Sequence, residues 1–216
     1  PHVRMESEEL GPSACVTTGK SMSERRVLSL IEKGKKIGKN LTRPIVLCEC
    51  VPGGTTTAQA VLKGLGLDVD GLISSSLLRS PLAIKKKVIS AGLEASGINA
   101  SSSPEVVMAA VGDPFQPVAV GILLGALQSN QSVLLGGGSQ MIAVLSLALA
   151  FLPLHLRSSL IDLVAIGTTP CLVEEVSEES ADLFGLPGLF QRVSEHFLVE
   201  PLGFVSGLRF DSSNYQ

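Results

Sequence analysis

A glycine- and threonine-rich segment, Gly-Gly-Thr-Thr-Thr at residues 53–57, has the residue types of a phosphate-binding turn. It lies between an apolar run at residues 45–48 and a helical pattern that begins near residue 55. Glycines let the backbone approach an anion closely, and the first turn of a helix offers N–H groups without helical acceptors. A tight turn capped by a threonine would have the same pattern. The predicted phosphate ligands are Gly53, Gly54, Thr55 and Thr56.

A second turn, Gly-Gly-Gly-Ser at residues 136–139, follows the predicted strand Ser-Val-Leu-Leu at residues 132–135 and precedes another helical pattern. A weaker third copy runs from residues 163–166 into Gly-Thr-Thr-Pro at residues 167–170. In open α/β sheets ligands bind beyond the carboxyl ends of the strands, which is where all three turns are expected. A purely structural turn remains the alternative. The predicted ligands in the second turn are Gly136, Gly137, Gly138 and Ser139.

Three lysines and two carboxylates complete the set of candidate residues. Lys85, Lys86 and Lys87 lie near the start of a predicted helix, where the helix dipole disfavours positive charge. A lysine that faces a bound anion would explain this position, and a solvated helix face is the alternative. Glu49 is suited to accept hydrogen bonds from sugar hydroxyls, whereas Asp113 is suited either to a site or to capping a helix start.

The elements that must position these residues alternate between helices and strands. Strands are predicted at residues 45–48, 132–135 and 163–166, the first as a buried central strand. This alternation predicts an α/β fold with a largely parallel sheet covered by helices on both faces. Helices are predicted at residues 21–39 with Ser23 as the N-cap and Val27, Leu30, Ile31 and Ile37 on one face, and at residues 55–64, 81–95, 104–110, 139–152 and, loosely, 177–183.

Net charge and the length of the apolar segments argue against two classes of partner. The net charge of −3 provides no basic surface for nucleic acid. Residues 114–156 contain no Asp, Glu, Lys or Arg, but the apolar pieces within them are about half the ~20 residues that a membrane span needs. We therefore expect neither a nucleic-acid nor a membrane partner, and a membrane-associated protein is the weakest alternative.

Four cysteines, at positions 15, 48, 50 and 171, have no zinc-ligand spacing, and no metal site is predicted. Cys48 and Cys50 are expected on one face of a strand as small buried thiols. Unpaired cysteines favour a reducing compartment, and the charged first ten residues lack the apolar region of a signal peptide. These features favour a cytoplasmic protein.

Three segments together resemble a known enzyme family: residues 49–57, Val-Gly-Asp-Pro-Phe-Gln-Pro at residues 111–117, and Leu-Leu-Gly-Gly-Gly-Ser-Gln-Met at residues 134–141. Their order and spacing resemble the nicotinate-nucleotide:dimethylbenzimidazole phosphoribosyltransferases, and still more their less characterised bacterial and archaeal relatives. Residues 18–22 fit the same family, and the resemblance covers about residues 15–169.

The resemblance implies a doubly wound parallel sheet with a small helical subregion, usually in a homodimer. It also implies transfer of phosphoribose from nicotinate mononucleotide to a benzimidazole-type base, the lower-ligand step of cobalamin synthesis, without a cofactor. By position, Gly53, Gly54, Thr55 and Thr56 match the family's phosphate loop. Glu49 matches its acidic residue, Lys85 a phosphate-site lysine, and Gly136, Gly137 and Gly138 its second glycine loop.

Two departures from the family pattern affect the expected activity. Val51 stands where the well-studied enzymes have a glycine. The family's general base, a glutamate in a glycine-rich C-terminal segment, has no match here, so the catalytic residue is unassigned. Glu174 and Glu200 are weak substitutes, and Glu49 is given only an electrostatic role.

The leading hypothesis is a phosphoribosyltransferase that binds a nucleotide and an aromatic base. The alternative is a catalytically silent nucleotide-binding module without the C-terminal base. Residues 1–216 are expected to form one α/β domain. Within it we distinguish an N-terminal helical segment (1–40), a nucleotide-binding core (41–175) and a C-terminal extension (176–216) that is expected to be incomplete.

Overall fold

The computed structural model describes residues 11–73, 82–169 and 185–200, together with the backbone of residues 204–206. Its four strands are β1 (Ile45–Cys48), β2 (Val133–Gly136), β3 (Val164–Thr168) and β4 (Phe204–Ser206). All neighbouring pairs are parallel, and their order is β1-β2-β3-β4. The expected α/β fold with a parallel sheet flanked by helices is confirmed.

Eight α-helices lie in the described part of the chain. The N-terminal four are α1 (Glu24–Lys39), α2 (Gly54–Gly64), α3 (Leu82–Ser96) and α4 (Pro104–Val111). They are followed by α5 (Phe115–Ser129), α6 (Ser139–Ala150), α7 (Leu154–Ile161) and α8 (Gly185–Phe197). A short 3-10 helix (Val16–Thr18) precedes α1. The predicted helix at residues 177–183 lies outside the described residues.

The helices between the described strands cover one face of the sheet. Strand order follows chain order, and connections of the usual right-handed sense would all lie on one side of such a sheet. Val133, Leu135 and Ile166 point into this covered side and are buried. On the other face Val46 is 62% exposed and Leu134 is 36% exposed. The reversal of direction that defines a doubly wound sheet does not fall among these four strands.

The prediction of β1 as a buried central strand is wrong for the described residues. β1 has one described neighbour, β2, and its alternate residues Val46 and Cys48 are exposed. The expected burial of Cys48 and Cys50 is likewise wrong, because Cys48 lies on the open face and Cys50 lies beyond the end of the strand. A short apolar run does not reveal whether both faces of its strand are covered.

The predicted helix starts and ends are close to those observed. Ser23 caps α1 by accepting a hydrogen bond from the Arg26 N–H, as predicted. Ile37 is 36% exposed rather than part of the buried face of α1. In the described residues, no helix is long and apolar enough to cross a membrane.

The backbones of α1 and α5 pack at unusually short range. Gly34 and Gly38 on α1 face Gly121 and Gly125 on α5. A Cβ atom at any of these four positions would lie under 3.0 Å from backbone atoms of the opposite helix, a distance that real Cβ atoms essentially never show. α5, which lies against α6, is thereby held to α1 by close backbone contact at these glycines.

Candidate functional site

Parallel pairing brings the three glycine turns to one edge of the sheet. Cys48 is in register with Gly136, and Gly136 is in register with Gly167. The Gly137 N–H donates to the Gly167 carbonyl at 2.8 Å, so the second and third turns are in direct contact. The turns predicted from the sequence therefore lie side by side at the carboxyl edge.

The first turn opens helix α2 in a geometry suited to an anion. Gly53 is the N-cap residue with φ of 75°, in the left-handed region that favours glycine. A Cβ atom there would meet nothing within 4 Å, so the space beside this residue is open. Thr55 and Thr56 are half-buried at the start of α2. The Gly54 N–H donates to the Val51 carbonyl at 2.9 Å and the Thr56 N–H to the Gly53 carbonyl at 2.8 Å, so the N–H groups of Gly53 and Thr55 are the candidate anion donors of this turn.

Glu49 is turned back onto its own loop. Its Oε2 atom accepts a hydrogen bond from the Val51 N–H at 2.6 Å. The half-buried carboxylate therefore fixes the conformation that leads into Gly53. Its other oxygen, Oε1, is the atom that would accept the predicted hydrogen bond from a sugar hydroxyl.

The second glycine turn meets the first through one amide side chain. The Gln140 Nε2 atom lies 2.7 Å from the position that a Cβ on Gly54 would occupy, so Gly54 allows the start of α6 to reach α2. A Cβ on Gly136 would lie 2.6 Å from Cys48 Sγ, which gives this glycine a packing role between β1 and β2. Gly138 is the N-cap of α6, and Ser139 is its buried first residue.

Lys85 differs sharply from its two lysine neighbours. Lys86 and Lys87 are exposed, as the solvated-face interpretation expects, whereas Lys85 is 5% exposed. The Lys85 Nζ atom is buried and has no hydrogen-bond partner among the described residues. Burial lowers the pKa of this ammonium group, because desolvation disfavours its charge. Burial of an ammonium group without a hydrogen-bond partner is energetically costly, which sets Lys85 apart from the exposed Lys86 and Lys87.

Asp113 and Thr57 form a buried pair that the sequence did not predict. Thr57 Oγ1 lies 2.5 Å from Asp113 Oδ2, and the side chains are 8% and 5% exposed, respectively. Burial raises the pKa of the Asp113 carboxyl, and hydrogen bonds from Thr57, Gln116 and Phe115 partly oppose this. The predicted alternative of a helix cap is supported, because Oδ1 accepts from the N–H groups of Phe115 and Gln116.

A second buried polar atom also lacks a partner. Thr168, at the carboxyl end of β3, is 4% exposed, and its hydroxyl has no hydrogen-bond partner within the described ranges.

Of the two glutamates named as weak substitutes for the general base, Glu200 is exposed, and Glu174 lies outside the described residues. Within those ranges no group of three or more His, Cys, Asp or Glu side chains is placed to hold a metal ion.

Comparison with known proteins identifies the family of this chain. Residues 9–154 match the model of a family described as phosphoribosyltransferase (DBI_PRT). A UPF0284 protein of Prochlorococcus marinus (strain MIT 9313) is 48% identical over 100% of this chain and 54% of its own length. A UPF0284 protein of Methanocaldococcus jannaschii is 38% identical over 81% of this chain and 48% of its own.

Solved structures share the fold. The crystal structure of CobT from Thermus thermophilus superposes with a TM-score of 0.63 at 17% identity, covering 90% of this chain and 54% of that one. A structure of nicotinate-nucleotide-dimethylbenzimidazole phosphoribosyltransferase from the same organism gives a TM-score of 0.61, also at 17% identity, covering 91% of this chain and 53% of that one. The chain spans about half the length of the relatives it matches. The family match, together with the glycine turns at the carboxyl edge, shows that the chain belongs to the nicotinate-nucleotide:dimethylbenzimidazole phosphoribosyltransferase family.

Proposed function

We propose that this chain carries the nucleotide site of an enzyme that transfers phosphoribose from nicotinate mononucleotide to a nitrogen of a benzimidazole-type base. The observation that carries the proposal is the buried and unpartnered Lys85 ammonium group. An ammonium group buried without a partner is costly, and a phosphate would supply the missing charge. We propose that the Gly53 and Thr55 N–H groups at the start of α2 donate to the same anion.

The residues have distinct roles in this proposal. Lys85 and the turn at Gly53 and Gly54 hold the phosphate, with the Thr55 and Thr56 hydroxyls as neutral donors. Displacement at the anomeric carbon builds positive charge on the ribose, which the free oxygen of Glu49 would stabilise. The second turn, Gly136, Gly137, Gly138 and Ser139, closes the other side of the pocket. The base that deprotonates the incoming nitrogen is not assigned to any described residue.

Calorimetry with nicotinate mononucleotide tests the phosphate site. Lys85→Met keeps an unbranched side chain but removes the charge, and we expect roughly tenfold or greater loss of affinity, as for other hydrogen bonds to charged groups. Lys87→Met is the matched control, because Lys87 is exposed on the same helix. Equal binding by wild type, Lys85→Met and Lys87→Met would contradict the proposal.

The rival function is a catalytically silent nucleotide-binding module. Val51 in the phosphate loop favours it, because a glycine stands there in the well-studied enzymes. Release of nicotinate from nicotinate mononucleotide in the presence of 5,6-dimethylbenzimidazole distinguishes the two. Binding with turnover supports the transferase, and binding without turnover by the full-length protein supports the module.

We also propose that the transferase is a homodimer and lies in the cytoplasm, and analytical ultracentrifugation tests the homodimer.

A further inference from the structure

The first turns of two helices are tied together across 56 positions of sequence by the Thr57–Asp113 pair. Thr57 is the fourth residue of α2, and Asp113 lies two residues before α5 begins. The contact joins a hydroxyl to a carboxylate at 2.5 Å in a buried setting, where charge-assisted hydrogen bonds are short and strong.

The Asp113 end of this contact is firmly held. Its Oδ1 atom accepts from the Phe115 N–H at 3.0 Å and from the Gln116 N–H at 3.3 Å. The Gln116 side chain reaches back to the Asp113 N–H at 3.4 Å, which completes a reciprocal capping box. Because α5 is locked to α1 by backbone contact at glycines, Asp113 stands on the rigid part of the molecule.

The Thr57 end is the turn that presents N–H groups to the predicted phosphate. The first turn of a helix lacks half of its helical hydrogen bonds and is prone to fraying. We propose that Asp113 is a positioning residue that holds the first turn of α2 in place through Thr57. The identity of the ligand in this inference rests on the proposed function, whereas the mechanical coupling does not.

The inferred role depends on the shape of the Asp113 side chain rather than on its charge. The Thr57 hydroxyl has one proton and two nearby acceptors, Asp113 Oδ2 at 2.5 Å and the Gly54 carbonyl at 3.1 Å. An asparagine at 113 would donate to the hydroxyl, whose own proton would turn to Gly54. One amide can therefore retain both the cap and the link to Thr57.

Binding of inorganic phosphate and of nicotinate mononucleotide, measured by calorimetry, tests the coupling. Thr57→Val and Asp113→Ala each break the link, and we expect roughly tenfold weaker binding, as when a buried polar group is left without its hydrogen-bond partner. Thr57→Ser and Asp113→Asn keep it and should bind like wild type. The double variant Thr57→Val/Asp113→Ala should bind no more weakly than the single variant with the lower affinity, because the two changes break the same contact.

Two control variants separate this effect from the general loss of a polar group. Ser146→Ala removes a buried hydroxyl that bonds within α6 at 2.8 Å, and Asp70→Asn neutralises a carboxylate that pairs with Lys63. Neither should change phosphate affinity. Tight binding by Thr57→Val, or loss of binding in Asp113→Asn, would overturn the inference even if wild type binds nicotinate mononucleotide as proposed.

Hydrogen exchange in the ligand-free protein makes the inference independent of any ligand. In Thr57→Val, the amides of Gly54, Thr56, Thr57 and Ala58 should exchange about tenfold faster than in wild type or Thr57→Ser, which corresponds to about 1.4 kcal/mol of lost local protection. Unchanged exchange would overturn the coupling. Faster exchange together with no phosphate binding by wild type would keep the coupling and reject the proposed function.

Discussion

The glycines of the α1–α5 contact and Gly53, in the first glycine turn at the carboxyl edge of the sheet, have opposite surroundings. Between the two helices, the backbone of the opposite helix already occupies the space in which a Cβ atom would lie at Gly34, Gly38, Gly121 or Gly125. At Gly53 a Cβ atom would meet nothing within 4 Å, and the constraint is the φ of 75°. Glycine is thus required for packing in one region and for conformation beside open space in the other. Filled space indicates a structural role, and open space beside helix N–H groups leaves room for a ligand.

The largest expected effect is on packing. Gly121→Ala places a methyl group against the Ile31 carbonyl oxygen, and the helices must separate to admit it. Overpacking of this kind costs about 3 kcal/mol, the upper part of its usual range. Urea denaturation measures the free energy of unfolding. A loss below about 0.5 kcal/mol, the size of a neutral surface change, would show that α1 and α5 are not locked together.

Gly53→Ala is the matching change in the loop and should cost less stability. The methyl group meets no neighbour, so only the left-handed backbone is penalised, at about 1 kcal/mol. The loss of binding free energy for inorganic phosphate should exceed the loss of unfolding free energy, because the new methyl group occupies the space beside the proposed ligand. If Gly53→Ala destabilises the fold as much as Gly121→Ala, the distinction between the two glycine sets is wrong.

Sequence patterns could predict the loops because their signal is local. An apolar run, two glycines and a helical pattern specify the turn at Gly53, and parallel pairing then brings it beside Gly136. The Asp-x-x-Gln pattern at residues 113–116 also carries a local capping signal, and the cap is present. The bond from Asp113 to Thr57 has no local signature, because it depends on how α2 and α5 pack.

Two other features depend on tertiary burial and were not predictable. The residue types in the run Lys85, Lys86, Lys87 do not show which lysine is buried; the family resemblance singled out Lys85, and its burial follows from the packing of α3. Val46 and Cys48 are exposed because the described helices cover one face of the sheet. A short apolar run in the sequence does not show whether one or both faces of its strand are covered.

The two regions should also differ in their response to alkaline pH, the smallest of the expected effects. Burial lowers the pKa of Lys85 in the folded protein, so between that value and the unfolded value of about 10.4 the unfolded chain binds more protons. Stability of wild type relative to Lys85→Met should therefore rise with pH through this window. The Gly121→Ala variant should keep the wild-type dependence, because its change is uncharged. Parallel pH profiles for wild type and Lys85→Met in urea denaturation would contradict the burial of this ammonium group.

The most direct test of the central claim is a crystal structure of the protein with nicotinate mononucleotide. We predict that the phosphate lies on the first turn of α2, within about 3 Å of the Gly53 and Thr55 N–H groups, and that the Lys85 ammonium group bonds to it. A phosphate bound elsewhere, with Lys85 still buried and without a partner, would contradict the account.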